Sequence, residues 1–119
     1  EMKRLGLSIL MTACYHSKQY ITADAIEADY IAPYFGRMEE AGLDAYDHMS
    51  LMKDLERHST NRCKILVASI RSVEQMITLA AQGHLYFTIS PAIADELLTA
   101  ELTVKAVSEF DEAATKVEV

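Results

Sequence analysis

Apolar runs and helical stripes alternate along this chain. Residues 7–13 (LSILMTA), 30–34 (YIAPY), 64–69 (KILVAS) and 85–89 (LYFTI) are nearly continuous in apolar character. Runs of that kind mark parallel strands covered on both faces, not strands with one wetted side. Between them the spacing turns helical. Residues 17–28 read as a first helix. Residues 44–58 read as a second, with Ala45, Met49, Met52 and Leu55 on one stripe. A third spans 72–82 and a fourth opens at Ser90-Pro91. A last one runs over 99–116, with Leu102, Ala106, Phe110 and Ala113 along one face.

Local signals agree with these boundaries. Asp44 is placed to cap the second helix, and Ser72 with Gln75 forms a capping box that closes at Gly83. Ser90 followed by Pro91 is the preferred opening of a helix. Pro33 cannot donate to a ladder, so it is expected to end the second strand and leave the Tyr34 phenol at the mouth of the sheet.

The expected fold is therefore α/β: four consecutive β-α units, with an extra C-terminal helix, as one domain over residues 1–119. The pattern alone allows an open sheet or half of a (β/α)8 barrel. In either, functional atoms gather at the carboxyl ends of the strands. Those positions hold Thr12, Tyr34, Ser69 with Arg71, and Thr88 with Ser90.

Composition narrows the partners. Half of the 119 residues are hydrophobic, and no apolar run is long enough to span a bilayer. The opening EMKRLGLSILMTA looks superficially like a signal peptide, but strand-like chain follows it without a cleavage motif, so a cytoplasmic protein is expected. The formal charge of −7 argues against wrapping nucleic acid, while leaving room for one local anion site. Cys14 and Cys63 have no metal-binding spacing and read as reduced core thiols. We expect no metal and no cofactor.

Four pieces in register carry a resemblance. Thr12 in MTACY, Ala32-Pro33-Tyr34 followed by Arg37, ILVASIRS with Ser69 and Arg71, and GHLYFTIS before a helix-starting proline resemble the transaldolases. The likeness points to the short subfamily that includes fructose-6-phosphate aldolase, and it covers essentially the whole chain. It implies the C-terminal half of a TIM (β/α)8 barrel that cleaves or transfers a dihydroxyacetone unit of ketose phosphates. In that family a lysine forms a Schiff base with the ketose, and a tyrosine moves protons through a bound water. Tyr34 matches the tyrosine and Thr12 a threonine that holds the water. Ser69 and Arg71 match the phosphate-binding pair, and Arg37 lies where an arginine near the phosphate sits. Independently, Ser69 and Arg71 precede a helix start, whose free N–H groups and dipole attract phosphate. Arginine adds a permanently charged fork.

The resemblance also implies a departure. The Schiff-base lysine belongs to the strand before the one holding Thr12, and EMKRLG reads as the tail of the helix between them. None of the six lysines substitutes by position: Lys3, Lys18, Lys53, Lys64, Lys105 and Lys116 fall in helices, past a strand end, or at the wrong end of a strand. A Schiff-base amine must be desolvated and rigidly held. The chain alone is thus expected to be inactive as an aldolase. A half-barrel also exposes two strand edges and one inner face. A second copy (a dimer or larger, with elements exchanged between copies as one option) or a separate N-terminal half is expected to cover them.

Two other readings stand beside this one. The chain could be a non-catalytic sugar-phosphate-binding or assembly module, or an unrelated flavodoxin- or receiver-like open sheet. The latter lacks a Gly-rich phosphate loop and the receiver's acidic cluster. His16, His48, His58 and His84 are expected to share no constellation.

Overall fold

A computed structural model describes residues 6–117, the side chains of 115–117 excepted. The helix tail expected over residues 1–6, with Lys3, lies outside them but for Gly6, and so does the Lys116 side chain. Two compact units make up the chain, Glu1–Ile89 and Ser90–Val119.

The first unit alternates strands and helices: β1 (Leu10–Cys14), α1 (Lys18–Ala25), β2 (Tyr30–Pro33), α2 (Phe35–Glu40), α3 (Ala45–His58), β3 (Lys64–Val67), α4 (Val73–Ala81) and β4 (Tyr86–Phe87). The second holds α5 (Pro91–Leu98) and α6 (Glu101–Val117). The four strands form one sheet in chain order, every pairing parallel. The expected order of elements is met, with shorter strands and one helix more.

That extra helix, α2, follows Tyr34 directly. FGRMEE offers only Phe35 and Met38 as apolar anchors and no capping residue, so no periodic signal announces it. Tertiary contacts build it instead. Phe35 N–H donates to the Ala68 carbonyl at 2.9 Å and Gly36 N–H to that of Ser69 at 2.8 Å. Phe35 and Met38 are fully buried.

Register sorts the two faces of the sheet. Met11, Ile31 and Ile65 align on one face, with Val67 beside Phe87. Ile31, Ile65 and Val67 are buried there with Tyr20 of α1, Met49 and Met52 of α3, and Leu79 of α4. Each such side chain contributes about 1.5–3 kcal/mol of burial. Tyr20 also donates its hydroxyl to the Cys63 carbonyl at 2.7 Å. Leu10, Tyr30 and Lys64 align on the other face, as do Leu66 and Tyr86. That face is open: Leu10 is 51% exposed and Tyr86 40%.

The helix ends differ from expectation in two places. Asp44 stands at the start of α3 but its side chain caps nothing; it is exposed, and α3 is held by buried Ala45, Met49 and Met52. At α4, Ser72 accepts from Gln75 N–H at 3.2 Å, as a capping box requires. The Gln75 side chain, however, reaches one residue further and accepts from Arg71 N–H at 2.8 Å. Gly83 closes this helix with φ +103°, a conformation that favours glycine.

Both cysteines are buried and unbridged. Burial pushes the Cys14 thiol up, and pushes Cys63 up to about 12, with nearby Asp24 and Asp29 adding to it. In the second unit, Ser90 caps α5 by accepting from Ile93 N–H at 3.3 Å. The predicted stripe of α6 is exposed at Leu102 and Phe110.

Candidate functional site

The site begins at an irregularity between β1 and β2. From Met11 to Cys14 the first strand takes three steps where β2 takes two from Ile31 to Pro33, and Ala13 adopts φ +55°. Bulges of this kind re-aim side chains beside functional sites. Here Thr12 Oγ1 lies 2.8 Å from the Tyr34 hydroxyl.

As expected, β2 ends at Pro33. The Pro33 carbonyl accepts from Ala68 N–H at 2.9 Å, Tyr34 N–H donates to the Cys14 carbonyl at 2.9 Å, and Tyr34 bridges to Ala68. One donor is missing, but pairing resumes a residue later. Tyr34 is therefore fixed by backbone bonds on both sides.

Around Tyr34 the other polar side chains gather. The Arg37 guanidinium lies 5.4 Å from the Tyr34 ring centroid, and Tyr15 meets the same ring edge-on at 5.9 Å. Arg37 is held above the usual arginine range first by the Tyr15 phenol beside it, then by Tyr34 and Glu40. An open cleft of about 320 Å³ is lined by Tyr34, Arg37, Ala68, Ser69 and Arg71. A larger hollow of about 550 Å³ lies among Ser8, Glu27, Asp29, Tyr30, Arg62 and Lys64. It mixes both charges at the amino ends of the strands, so chemistry singles out the smaller cleft.

Ser69 bears the marks of a strained functional position. Its φ is +62°, a conformation costing a non-glycine residue about 1–3 kcal/mol. Its hydroxyl is buried without a hydrogen-bond partner. Gly36 makes the arrangement possible. A Cβ there would stand 2.2 Å from the Ser69 carbonyl oxygen and 2.7 Å from Arg71 Nε.

Arg71 is exposed and pairs with Glu40 at 3.1 Å, an ion pair that water screens heavily. The amides expected to be free before α4 are partly engaged, since Gln75 Oε1 takes that of Arg71 and Ser72 Oγ that of Gln75. Gln75 Nε2 in turn donates to Glu39 at 3.1 Å. Side chains, more than the helix start, thus shape the positive wall. Thr88 is exposed and outside the cleft lining, its amide bonded to the Val67 carbonyl, and Ser90 is occupied in capping. Among the described residues, no lysine lines the cleft. Lys53 pairs with Glu56 at 2.6 Å, and Lys64 lies 5.7 and 5.6 Å from the centroids of Tyr30 and Tyr86 on the open face.

Comparison with known proteins decides the family. The family model described as transaldolase/fructose-6-phosphate aldolase matches residues 1–119. The chain belongs to the transaldolase/fructose-6-phosphate aldolase family. A protein named "Probable transaldolase" from Caulobacter sp. is 32% identical over 108 residues, 88% of this chain and 48% of the relative. One of the same name from Bartonella tribocorum is 29% identical over 105 residues, again 88% and 48%. The chain spans about half the length of these transaldolase relatives.

Two features around this cleft escape sequence reasoning. Tyr15 is one, since nothing in CYHS announces its contact with Tyr34. The other corrects an expectation: His16 and His48 do meet, their ring centroids 4.1 Å apart. His48 Nδ1 accepts from Ser17 N–H at 3.2 Å, which ties α3 to the loop after β1. Among the described residues no cluster of three metal-ligating side chains forms, and no helix is long and apolar enough to cross a membrane.

Proposed function

We propose that this chain is the phosphate-and-tyrosine half of a transaldolase or fructose-6-phosphate aldolase site, acting on ketose phosphates in the cytoplasm. The convergence of Tyr34, Arg37, Ser69 and Arg71 on one cleft at the strands' carboxyl ends carries this reading. Arg71 and Arg37 bind the phosphate dianion, and the Ser69 hydroxyl gives it a further donor. Tyr34, held by Thr12, passes a proton to and from the substrate through water.

The Schiff-base amine comes from outside this chain. What supports this is a cleft that no lysine lines among the described residues, and the ion-paired or aromatic-flanked settings of Lys53 and Lys64. The fold is then half of a (β/α)8 barrel, closed by a second copy or by a separate N-terminal half. Exposed Leu10 and Tyr86 on the open sheet face, and exposed Leu102 and Phe110 on α6, support such a partner. A second reading, a sugar-phosphate-binding or assembly module without chemistry, rests on the same missing amine.

Calorimetric titration with fructose 6-phosphate tests the phosphate site. The full chain binds it, and Arg71→Ala abolishes binding while leaving the circular dichroism spectrum unchanged. Equal binding by Arg71→Ala would refute the assignment.

A further inference from the structure

Tyr15 has no part in the reading above, yet it touches two of that site's side chains. Its ring meets the Tyr34 ring edge-on at 5.9 Å with the planes 75° apart, a favoured aromatic geometry. Its phenol stands beside the Arg37 guanidinium, which itself lies over the Tyr34 ring at 5.4 Å. The three side chains thus form a closed triangle. Tyr15 is half-buried and Arg37 exposed, so the contact ties an exposed side chain to an anchored loop.

The loop bearing Tyr15 is held from two helices. Gln19 Oε1, in the first turn of α1, accepts both Tyr15 N–H at 2.7 Å and His16 N–H at 3.0 Å. His48 of α3 receives Ser17 N–H at 3.2 Å, and its Nδ1 lies 3.2 Å from the Ser17 hydroxyl. Ser17 itself is buried. The backbone at position 15 is therefore fixed before any ligand arrives.

We infer that Tyr15 is a positioning residue of the cleft, holding the Arg37 guanidinium over Tyr34 so that it faces an incoming phosphate already ordered. The physical case is one of preorganisation. An exposed arginine loses much rotamer freedom when it clamps an anion, and that loss weakens binding. A phenol and a ring face that hold the guanidinium in advance remove part of the loss. The inference rests on the reading of this cleft as a phosphate site and adds the residue that tunes its affinity.

The test uses the full chain, inorganic phosphate as probe, and a double-mutant cycle of Tyr15→Phe with Arg37→Ala. Tyr15→Phe keeps the ring and removes only the hydroxyl, so the fold is preserved. It weakens phosphate binding about two- to threefold, the scale of a contact to an exposed charged group. In the Arg37→Ala background the same change has no effect, which a merely structural tyrosine would not produce. Unaltered binding in Tyr15→Phe, or the same loss in both backgrounds, would overturn the inference. A second arm needs no ligand: the Arg37 Nε–Hε resonance is motionally restricted in the wild type and mobile in Tyr15→Phe. Equal mobility in the two would also overturn it. A wild type that binds no phosphate would overturn the reading of the cleft itself, an outcome separable from failure of the cycle.

Discussion

The hydroxyl groups of Thr12 and Tyr34 lie 2.8 Å apart although 22 residues separate them in the chain. The bulge in β1 and the backbone bonds that flank Tyr34 bring them together. Thr12→Val removes the contact and leaves the Tyr34 phenol in water, since the pair is exposed. A loss of about 0.5–1.5 kcal/mol in urea unfolding is expected. Adding Tyr34→Phe to Thr12→Val then costs less than Tyr34→Phe alone.

Gly36 sets the approach of α2 to the loop after β3. Gly36→Ala forces its new methyl group against the Ser69 carbonyl, which is backbone and cannot swing aside. We expect a destabilisation of about 1–3 kcal/mol, as for other overpacked sites. Phosphate binding falls with it, because Ser69 and Arg71 both border that contact. Denaturant unfolding paired with phosphate titration reads both effects.

Glu40 competes with any anion for Arg71. Glu40→Gln releases the guanidinium and removes a negative charge from the cleft's edge. Phosphate affinity rises by about two- to fivefold, the scale of an exposed ion pair, and the gain shrinks at high salt. Titrations at low and high sodium chloride measure it.

Legibility of these features divides along physical lines. Strands β1, β2 and β3 and helices α3 and α4 declare themselves through continuous apolar runs and a 3.6-residue stripe. Ser72 declares its cap because a serine three residues before a glutamine has one good local use. Helix α2 gives no such signal, because its first amides are satisfied by Ala68 and Ser69, more than thirty residues away. The end of α1 was equally hidden: the left-handed residue there is Glu27, not a glycine. At the cleft, the hydroxyl and guanidinium positions follow from strand ends and from likeness to a family. Tyr15 and the His16–His48 contact depend on how a loop folds back, which no spacing encodes.

His84 makes stability depend on pH. It is 2% exposed, and its Nε2 lies 3.0 Å from the Met49 carbonyl while Nδ1 has no partner. Burial lowers its pKa below the ordinary 6.5, Lys53 adds to the lowering, and the Met49 carbonyl and Glu56 oppose it. The unfolded chain therefore binds the proton more readily than the folded one. Stability is complete above pH 6.5, falls as pH drops from there toward the folded-state midpoint, and levels off below it. The imidazole resonance of His84 titrates below 6.5, and urea midpoints are lower at pH 5.5 than at pH 7.5.

We propose that this chain brings an anion cradle and a phenol to the site and that the reactive amine comes from elsewhere. Incubation of the chain alone with fructose 6-phosphate and sodium borohydride, followed by intact-mass spectrometry, tests it most directly. An unmodified mass is expected. A reduced sugar adduct on any lysine of this chain would contradict it.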